Sequence, residues 1–199
     1  MKYVNEFLKF NCAPDIIPII PKQENWCKEI SESMAIRKRI KDNCIDNKME
    51  NTIFDLCAGN GLTGILMAFT LPIQQVYSVD LKKRNGKYEK AKNFTYLEMN
   101  INDLFSDNTR KDQKIILIAS HACKQAAIDI ISIYKKYDFI KGMVMIPCCI
   151  GSHPVELFLK KEIGVYKEWC FYLKQLCNGK ISFDNYILSP CNGIVEAWK

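Results

Sequence analysis

Short apolar runs alternate with helix-like segments through most of this chain, and this alternation restricts the fold more than any other feature. Runs of strand-like composition occur at NTIFDL, QQVYSVD, NFTYLEM, KIILIAS and GMVMIP. Helical spacing is found at LTGILMAFTL, in the stretch after HACK, at PVELFLKKEI and over residues 165–177. The last two runs, ISFDNYILS and CNGIVEAWK, are joined by a short connection typical of an antiparallel pair. We therefore predict an α/β fold, a mainly parallel, doubly wound sheet with a C-terminal antiparallel strand pair.

The segment before this alternation has a different composition. Three prolines interrupt its apolar residues, at Pro14, Pro18 and Pro21. Because proline blocks helix continuation, we predict an extended or turning segment there, followed by a helix that ends near Lys48. We divide the chain into an N-terminal extension and helix over residues 1–48 and a core domain over residues 49–199.

The composition excludes several classes of protein. With 199 residues, of which 48% are hydrophobic and 25% charged, the chain is too apolar to be intrinsically disordered. No apolar run approaches the roughly 20 residues that a membrane helix needs, and the first residues lack a signal-peptide core. Ten cysteines in such a chain indicate a reducing compartment, where most of them pack as small hydrophobic residues. We therefore predict a cytoplasmic protein that does not enter a membrane.

A glycine-rich turn joins the first predicted strand to the helix after it. The strand ends near Asp55, and Cys57, Gly59 and Gly61 follow in DLCAGNG. Glycine tolerates positive φ and lets a ligand approach the backbone, while a helix start attracts the anionic end of a ligand. Asp80 ends the second strand, where nucleoside-binding folds place an acid for the ribose hydroxyls. The sequence therefore predicts a nucleoside-containing cofactor at this edge of the sheet.

These residues resemble the class I methyltransferases that use S-adenosylmethionine. DLCAGNG is similar to the first motif of that superfamily, Asp/Glu-x-Gly-x-Gly-x-Gly, with Cys57 in place of its first glycine. The resemblance covers residues 50–199 and implies a Rossmann-like methyltransferase fold with S-adenosylmethionine as cofactor. It also implies that Asp55, Cys57, Gly59 and Gly61 surround the methionine portion of that cofactor.

The same resemblance implies roles for two further acids. Asp80 would hold the ribose hydroxyls, and Asp103, in the loop after the third strand, would face the adenine amino group. Asn100, Asn102 and Asp107 compete for the adenine role, and Asp103 equally suits a helix N-cap. NAD-binding dehydrogenases are the rival family. The resemblance favours the methyltransferases, because a C-terminal antiparallel strand pair is typical of them and not of the dehydrogenases.

Both histidines and three cysteines follow the fourth and fifth predicted strands, at His121, Cys123, Cys148, Cys149 and His153. Because the carboxyl ends of parallel strands form the ligand crevice, we expect all five on one rim. A His-x-Cys after the fourth strand and a Cys-Cys after the fifth resemble one branch of the class I enzymes. That branch includes the tRNA 2′-O-methyltransferases, although a lysine in this chain replaces the glycine that usually follows its His-x-Cys.

Three interpretations of this rim remain open from the sequence. His121 can accept a proton from an acceptor hydroxyl or amine, and we assign it as the catalytic residue. The rim also offers enough nitrogen and sulfur ligands for tetrahedral zinc, although we assign no metal ligand. The third interpretation is that the cysteines are only small wall residues. A covalent mechanism through Cys148 is disfavoured because this Pro-Cys pair follows the fifth strand, not the fourth.

The chain has a formal net charge of +6. Basic residues are clustered in two places, one at Lys82, Lys83, Arg84 and Lys87 and one at Arg37, Lys38 and Arg39. Both clusters suit either phosphate contacts or a solvated face. We predict a methyltransferase for RNA, with tRNA as the first candidate. The alternatives are methylation of a small molecule or protein, and a catalytically silent binding subunit. A partner protein is a further expectation, since the chain has no room for a dedicated substrate domain.

Overall fold

The computed structural model describes residues 1–44, 51–105, 114–150 and 164–199. In these residues the helices are α1 (Lys2–Leu8), α2 (Ala13–Ile16), α3 (Trp26–Cys44), α4 (Leu62–Thr70), α5 (Gln125–Lys136) and α6 (Val165–Cys177). The strands are β1 (Asn51–Leu56), β2 (Gln75–Asp80), β3 (Phe94–Glu98), β4 (Lys114–Ala119), β5 (Ile140–Met145), β6 (Lys180–Phe183) and β7 (Gly193–Trp198). Single 3₁₀ turns lie at Tyr88–Lys90 and Ile101–Asp103.

The described strands form one sheet in the order β3-β2-β1-β4-β5-β7-β6. Strands β1 to β5 run parallel, while β7 pairs antiparallel with both β5 and β6. This topology confirms the predicted α/β sheet with its C-terminal antiparallel pair. The strand order reverses between β1 and β4, which lie side by side, and such a switch point is where open α/β sheets bind their ligands.

Both faces of the sheet are covered, as strands with continuous apolar runs require. Neighbouring side chains of β1 show this, because Ile53 belongs to the core under α1, α3 and α4, while Phe54 belongs to the core under α5 and α6. Both side chains are fully buried. Because successive side chains of a strand point to opposite faces of the sheet, β1 is anchored in both hydrophobic cores. This anchoring fixes the position of the turn that follows β1.

The N-terminal segment contains the short helices α1 and α2, which corrects part of the extended or turning segment predicted there, while residues 17–25, with Pro18 and Pro21, are turns and irregular backbone as predicted. Pro14 lies in the first turn of α2, where its fixed φ suits a helix and its missing N–H leaves no bond unmade. Tyr3 and Phe7 of α1 and Ile16 of α2 are buried in the same core as α3 and α4. The division of the chain at residue 48 stays a prediction, but residues on both sides of it share one core.

The last predicted strand pair is shorter than the sequence indicated. β6 ends at Phe183, because Asp184 starts a turn in which its carboxylate accepts from the backbone N–H of Tyr186 and its carbonyl accepts from Ile187. The predicted helix at PVELFLKKEI lies outside the described residues. The helices predicted after the first and fourth strands and over residues 165–177 are confirmed.

The longest described helix, α3, has 19 residues and is amphipathic. Ile36 and Ile40 are buried on one side, and Lys38 is exposed on the other. In the part of the chain that the structure describes, no helix combines the length and the apolar composition needed to cross a membrane.

Phe7→Ala tests whether the N-terminal helices belong to the core. The Phe7 side chain is fully buried, so its truncation is expected to lower the free energy of unfolding by about 3–5 kcal/mol. Leu8→Ala is the matched control, because Leu8 is 60% exposed and its loss is expected to cost less than about 0.5 kcal/mol. Urea unfolding followed by circular dichroism measures both. Equal, small effects would show that α1 is a detachable extension.

Candidate functional site

The turn between β1 and α4 has a backbone that most residues avoid. Cys57, Gly59 and Gly61 adopt φ values of 55°, 56° and 78°. A Cβ added at Gly59 would meet no atom within 4 Å, so bare backbone borders open space there. Gly61 is the N-cap of α4, which points the start of the helix at the same space. The predicted glycine turn is therefore present, and Cys57 holds the conformation that the motif normally gives to glycine.

Side chains from β2, β3 and the loop between them hold this turn. The Gly59 N–H donates to Asp80 Oδ2 at 2.9 Å. The hydroxyl of Tyr96 donates to the Gly59 carbonyl at 2.5 Å, and that of Tyr88 donates to the Asn60 carbonyl at 2.9 Å. The two rings stack, with centroids 4.8 Å apart. Asp80 thus has a structural partner in the turn and still reaches the cavity beside it.

Asp55 lies below the turn and is fully buried. Its Oδ2 accepts from the Gly64 N–H at 3.0 Å and from the Ser78 hydroxyl at 2.9 Å. Burial raises the pKa of Asp55 to about 7, against the effect of these two hydrogen bonds. The carboxyl group links β1, β2 and the first turn of α4, and its predicted contact with a cofactor remains a prediction.

One cavity, which we call the aspartate cavity, has a volume of about 220 Å³ and lies beside Asp80. Cys57, Asn100 and Asn102 line it, together with Asp129 of α5. Burial raises the pKa of the Cys57 thiol to about 11, which disfavours its thiolate form.

The loop after β3 contributes its asparagines to this cavity. Asn100 caps the 3₁₀ turn by accepting from the Asn102 N–H at 3.0 Å. Asp103 is exposed and is not among the residues that line the aspartate cavity. Asn100 and Asn102, which the sequence offered as competitors, line this cavity, whereas Asp107 lies outside the described residues, and the adenine role of Asp103 stays a prediction.

A second cavity, which we call the histidine cavity, has a volume of about 330 Å³ and lies against the same turn. Ala58, Gly59 and Asn60 line one side and His121, at the end of β4, lines another. Neighbouring residues of one turn therefore line the two cavities, Cys57 the one that contains Asp80 and Ala58, Gly59 and Asn60 the one that contains His121.

The N-terminal segment forms one wall of the histidine cavity, which the sequence did not predict. The Asn60 amide donates to Gln23 and to Glu29 Oε2, the latter at 2.5 Å. Its carbonyl oxygen accepts from the Leu62 N–H at 2.9 Å. Gln23 and Glu29 are lining residues, as is Lys22. The only sequence signal for this contact is that Asn60 is a polar residue between two glycines.

His121 has an acidic neighbour that the sequence analysis missed. Its Nε2 lies 3.5 Å from Glu32 Oε2, and the Glu32 side chain is 1% exposed. Burial raises the pKa of Glu32 to about 7, although Lys28 and a hydrogen bond to Ser189 lower it. Burial and the Lys28 charge lower the pKa of His121. The only sign of this contact in the sequence is that Glu32 is the one charged residue in the stretch ISESMAI of α3, whose other residues are small or apolar.

The cysteines of the predicted rim do converge. Cys123 and Cys148 are joined as a disulfide with Cα atoms 5.5 Å apart, and the Cys149 sulfur lies 3.6 Å from that of Cys148. His153 lies outside the described residues, so its predicted place on this rim stays a prediction.

The two basic clusters differ in their surroundings. Lys82, Lys83, Arg84 and Lys87 are exposed in the loop after β2, and Arg84 lines the histidine cavity. In the other cluster, Arg37 donates to the Thr70 hydroxyl at 2.7 Å and to the Thr70 carbonyl at 3.2 Å. Arg39 donates to the Ser182 hydroxyl at 2.8 Å. The second cluster therefore connects parts of the fold and leaves mainly Lys38 to the solvent.

Glu32→Gln is expected to change how stability depends on pH. Because burial raises the pKa of Glu32 from 4.5 to about 7, folding favours its protonated form. The stabilisation is complete below pH 4.5 and is lost as pH rises through 7, whereas Gln does not titrate. Relative to the variant, the wild type is expected to lose about 2–3 kcal/mol of unfolding free energy from about pH 5 to pH 8.

Chemical denaturation across this pH range measures the difference. The titration of Asp55 contributes equally to the wild type and to the variant, so it cancels in the difference between their unfolding free energies. Glu24→Gln is the control, since Glu24 is exposed. The unfolding free energy of this variant is expected to depend on pH in the same way as that of the wild type. Parallel curves for Glu32→Gln as well would contradict a buried titrating carboxyl beside His121.

Comparison with known proteins identifies the family of the chain. No curated protein sequence matches it. The solved structure of TrmK from M. capricolum, in complex with S-adenosyl-homocysteine, is similar with a TM-score of 0.49 and 13% identity, over 82% of this chain and 67% of that chain. A similarity this low assigns no substrate. A family model described as a methyltransferase domain matches residues 25–152, more than half of the chain, and the chain therefore belongs to this methyltransferase family.

Proposed function

We propose that this methyltransferase modifies RNA, with tRNA as the first substrate class to test. The observation that carries the proposal is that one glycine turn lines two cavities, with Asp80 at the first and His121 at the second. Such an arrangement suits an extended cofactor that crosses the turn and an acceptor that approaches beside His121.

The methyl donor of this enzyme is S-adenosylmethionine, which supplies a methyl group activated by a sulfonium. The residues present fit its two ends. The open space beside the bare Gly59 backbone admits a ligand, and the Asp80 carboxylate at the aspartate cavity suits ribose hydroxyls. Asn100 and Asn102 offer amide groups for a base in the same cavity.

His121 is proposed to take the proton from the acceptor group. It lines the histidine cavity, into which the glycine turn also opens. Glu32 lies 3.5 Å from its Nε2 and is positioned to orient the imidazole from the side of α3. Methyl transfer depends mainly on placing the acceptor in line, so this pair contributes orientation and one proton transfer.

The loop at residues 82–87 supports a polyanionic substrate. Its four basic side chains are exposed, and one of them, Arg84, also lines the histidine cavity. Lys22 lines the same cavity from the N-terminal segment. Phosphates bound along this loop would therefore lead an RNA strand to His121, with counterion release as the driving force.

Asp80→Asn tests the placement of the cofactor. Loss of the charged acceptor in the aspartate cavity is expected to weaken binding of S-adenosylhomocysteine by about 10-fold or more in isothermal titration calorimetry. Asp103→Asn is the matched control and is expected to change little, because Asp103 does not line the cavity. The reverse result, with Asp103 essential and Asp80 dispensable, would support the adenine role assigned from the sequence and reject the placement of the ribose at Asp80.

His121→Ala tests the catalytic assignment. Transfer of labelled methyl groups from S-adenosylmethionine to bulk tRNA is expected to fall about 100-fold or more, with cofactor affinity unchanged. Full turnover by the variant would exclude His121 as the base.

The same assay separates the alternatives. Methylation of protein or small-molecule extracts with none of tRNA would reject an RNA substrate. Cofactor binding without transfer to any of the three acceptor pools would indicate a silent binding subunit.

A further inference from the structure

We propose that the rim cysteines Cys123, Cys148, Cys149 and Cys191 form a thiolate site for a zinc ion in the reduced protein. The site lies at the carboxyl ends of β4 and β5, beside the histidine cavity but outside its lining residues. It is independent of the substrate proposed above, and its test reads metal content and not activity.

The first argument is the distance between the sulfurs. The Sγ atoms of Cys123, Cys148 and Cys149 all lie within 4.8 Å of one another, and those of Cys148 and Cys149 are 3.6 Å apart. With zinc–sulfur bonds of about 2.3 Å, the edge of a tetrahedron of four sulfurs is about 3.8 Å. Three sulfurs, two of them bonded to each other in the disulfide, thus already lie within the size of one tetrahedral site, which reduction of that bond would open.

The second argument is that the backbone brings these residues together from separate segments. Cys123 and Cys149 form a parallel bridge, and the Lys124 N–H donates to the Cys149 carbonyl at 3.4 Å. The bridge extends the pairing of β4 and β5 beyond their ends. The cluster is therefore fixed by the sheet and does not depend on the flexibility of one loop.

Cys191 supplies a fourth thiol from a third segment. Its Sγ lies 3.1 Å from the Cys148 carbonyl oxygen, to which it donates. Cys191 precedes β7, which pairs with β5. In the metal-bound form this thiol would lose its proton to solvent, as the other three would, and turn from the carbonyl to the ion.

A disulfide alone does not account for this arrangement. The Cys123–Cys148 bond uses two of the sulfurs and leaves Cys149 and Cys191 as thiols beside it. The disulfide and the metal compete for Cys123 and Cys148, so the proposed site exists only when both are reduced. Soft thiolate ligands in this number favour zinc over magnesium or calcium.

The test uses the full-length chain purified with a phosphine reductant and without chelators. We expect about one equivalent of zinc by mass spectrometry of the metal content, and a thiolate-to-cobalt charge-transfer band when Co²⁺ is added to the metal-free protein. Cys149→Ser and Cys191→Ser are each expected to lose most of the band. Cys149 and Cys191 are chosen because neither belongs to the disulfide.

Cys27→Ser is the matched control, since Cys27 is an exposed free thiol that belongs to neither the disulfide nor the metal-ligand cluster. It is expected to retain the full metal content and the full band. A reduced wild type with neither zinc nor the cobalt band would overturn the proposal, as would an undiminished band in Cys149→Ser. An undiminished band in Cys191→Ser alone would remove Cys191 from the ligand set.

Discussion

The positive φ values of Cys57, Gly59 and Gly61 are the constraint on which the rest of the site depends. They turn the chain sharply from β1 into α4, so that backbone, with few side chains, faces the space above the sheet. Asp80, Tyr88 and Tyr96 then hold the turn through hydrogen bonds to its backbone. Since a non-glycine residue in this conformation costs about 1–2 kcal/mol, Cys57 indicates that the surrounding contacts impose the shape.

Much of the fold followed from the sequence, because buried parallel strands are continuous apolar runs. β4 and the end of β5 are such runs, β1 and β2 hold shorter apolar runs beside polar residues, and the two C-terminal runs indicated the antiparallel pair. The N-terminal helices did not follow, because Pro14 was interpreted as a helix breaker, whereas the first turn of α2 accommodates it. Nothing local distinguishes a proline at the start of a helix from one in a turn.

The glycine turn and Asp80 were found from the sequence because a strand, a turn and a second strand end are local features. The surroundings of His121 were not, because Glu32 comes from α3, far away in the chain, and only packing brings the two together. The same holds for Gln23 and Glu29 at Asn60. Contacts between distant segments leave at most a weak trace in the sequence, such as an acid in an apolar helical face.

The hydrogen bonds from Asn60 to Gln23 and Glu29 connect the segment before β1 directly to the glycine turn of the methyltransferase domain. Because Gln23 and Glu29 precede β1 in the sequence and Asn60 follows it, these hydrogen bonds need both segments in place. A replacement of this segment would leave the Asn60 amide without these two acceptors, so position 60 and the segment around Gln23 and Glu29 form one structural unit.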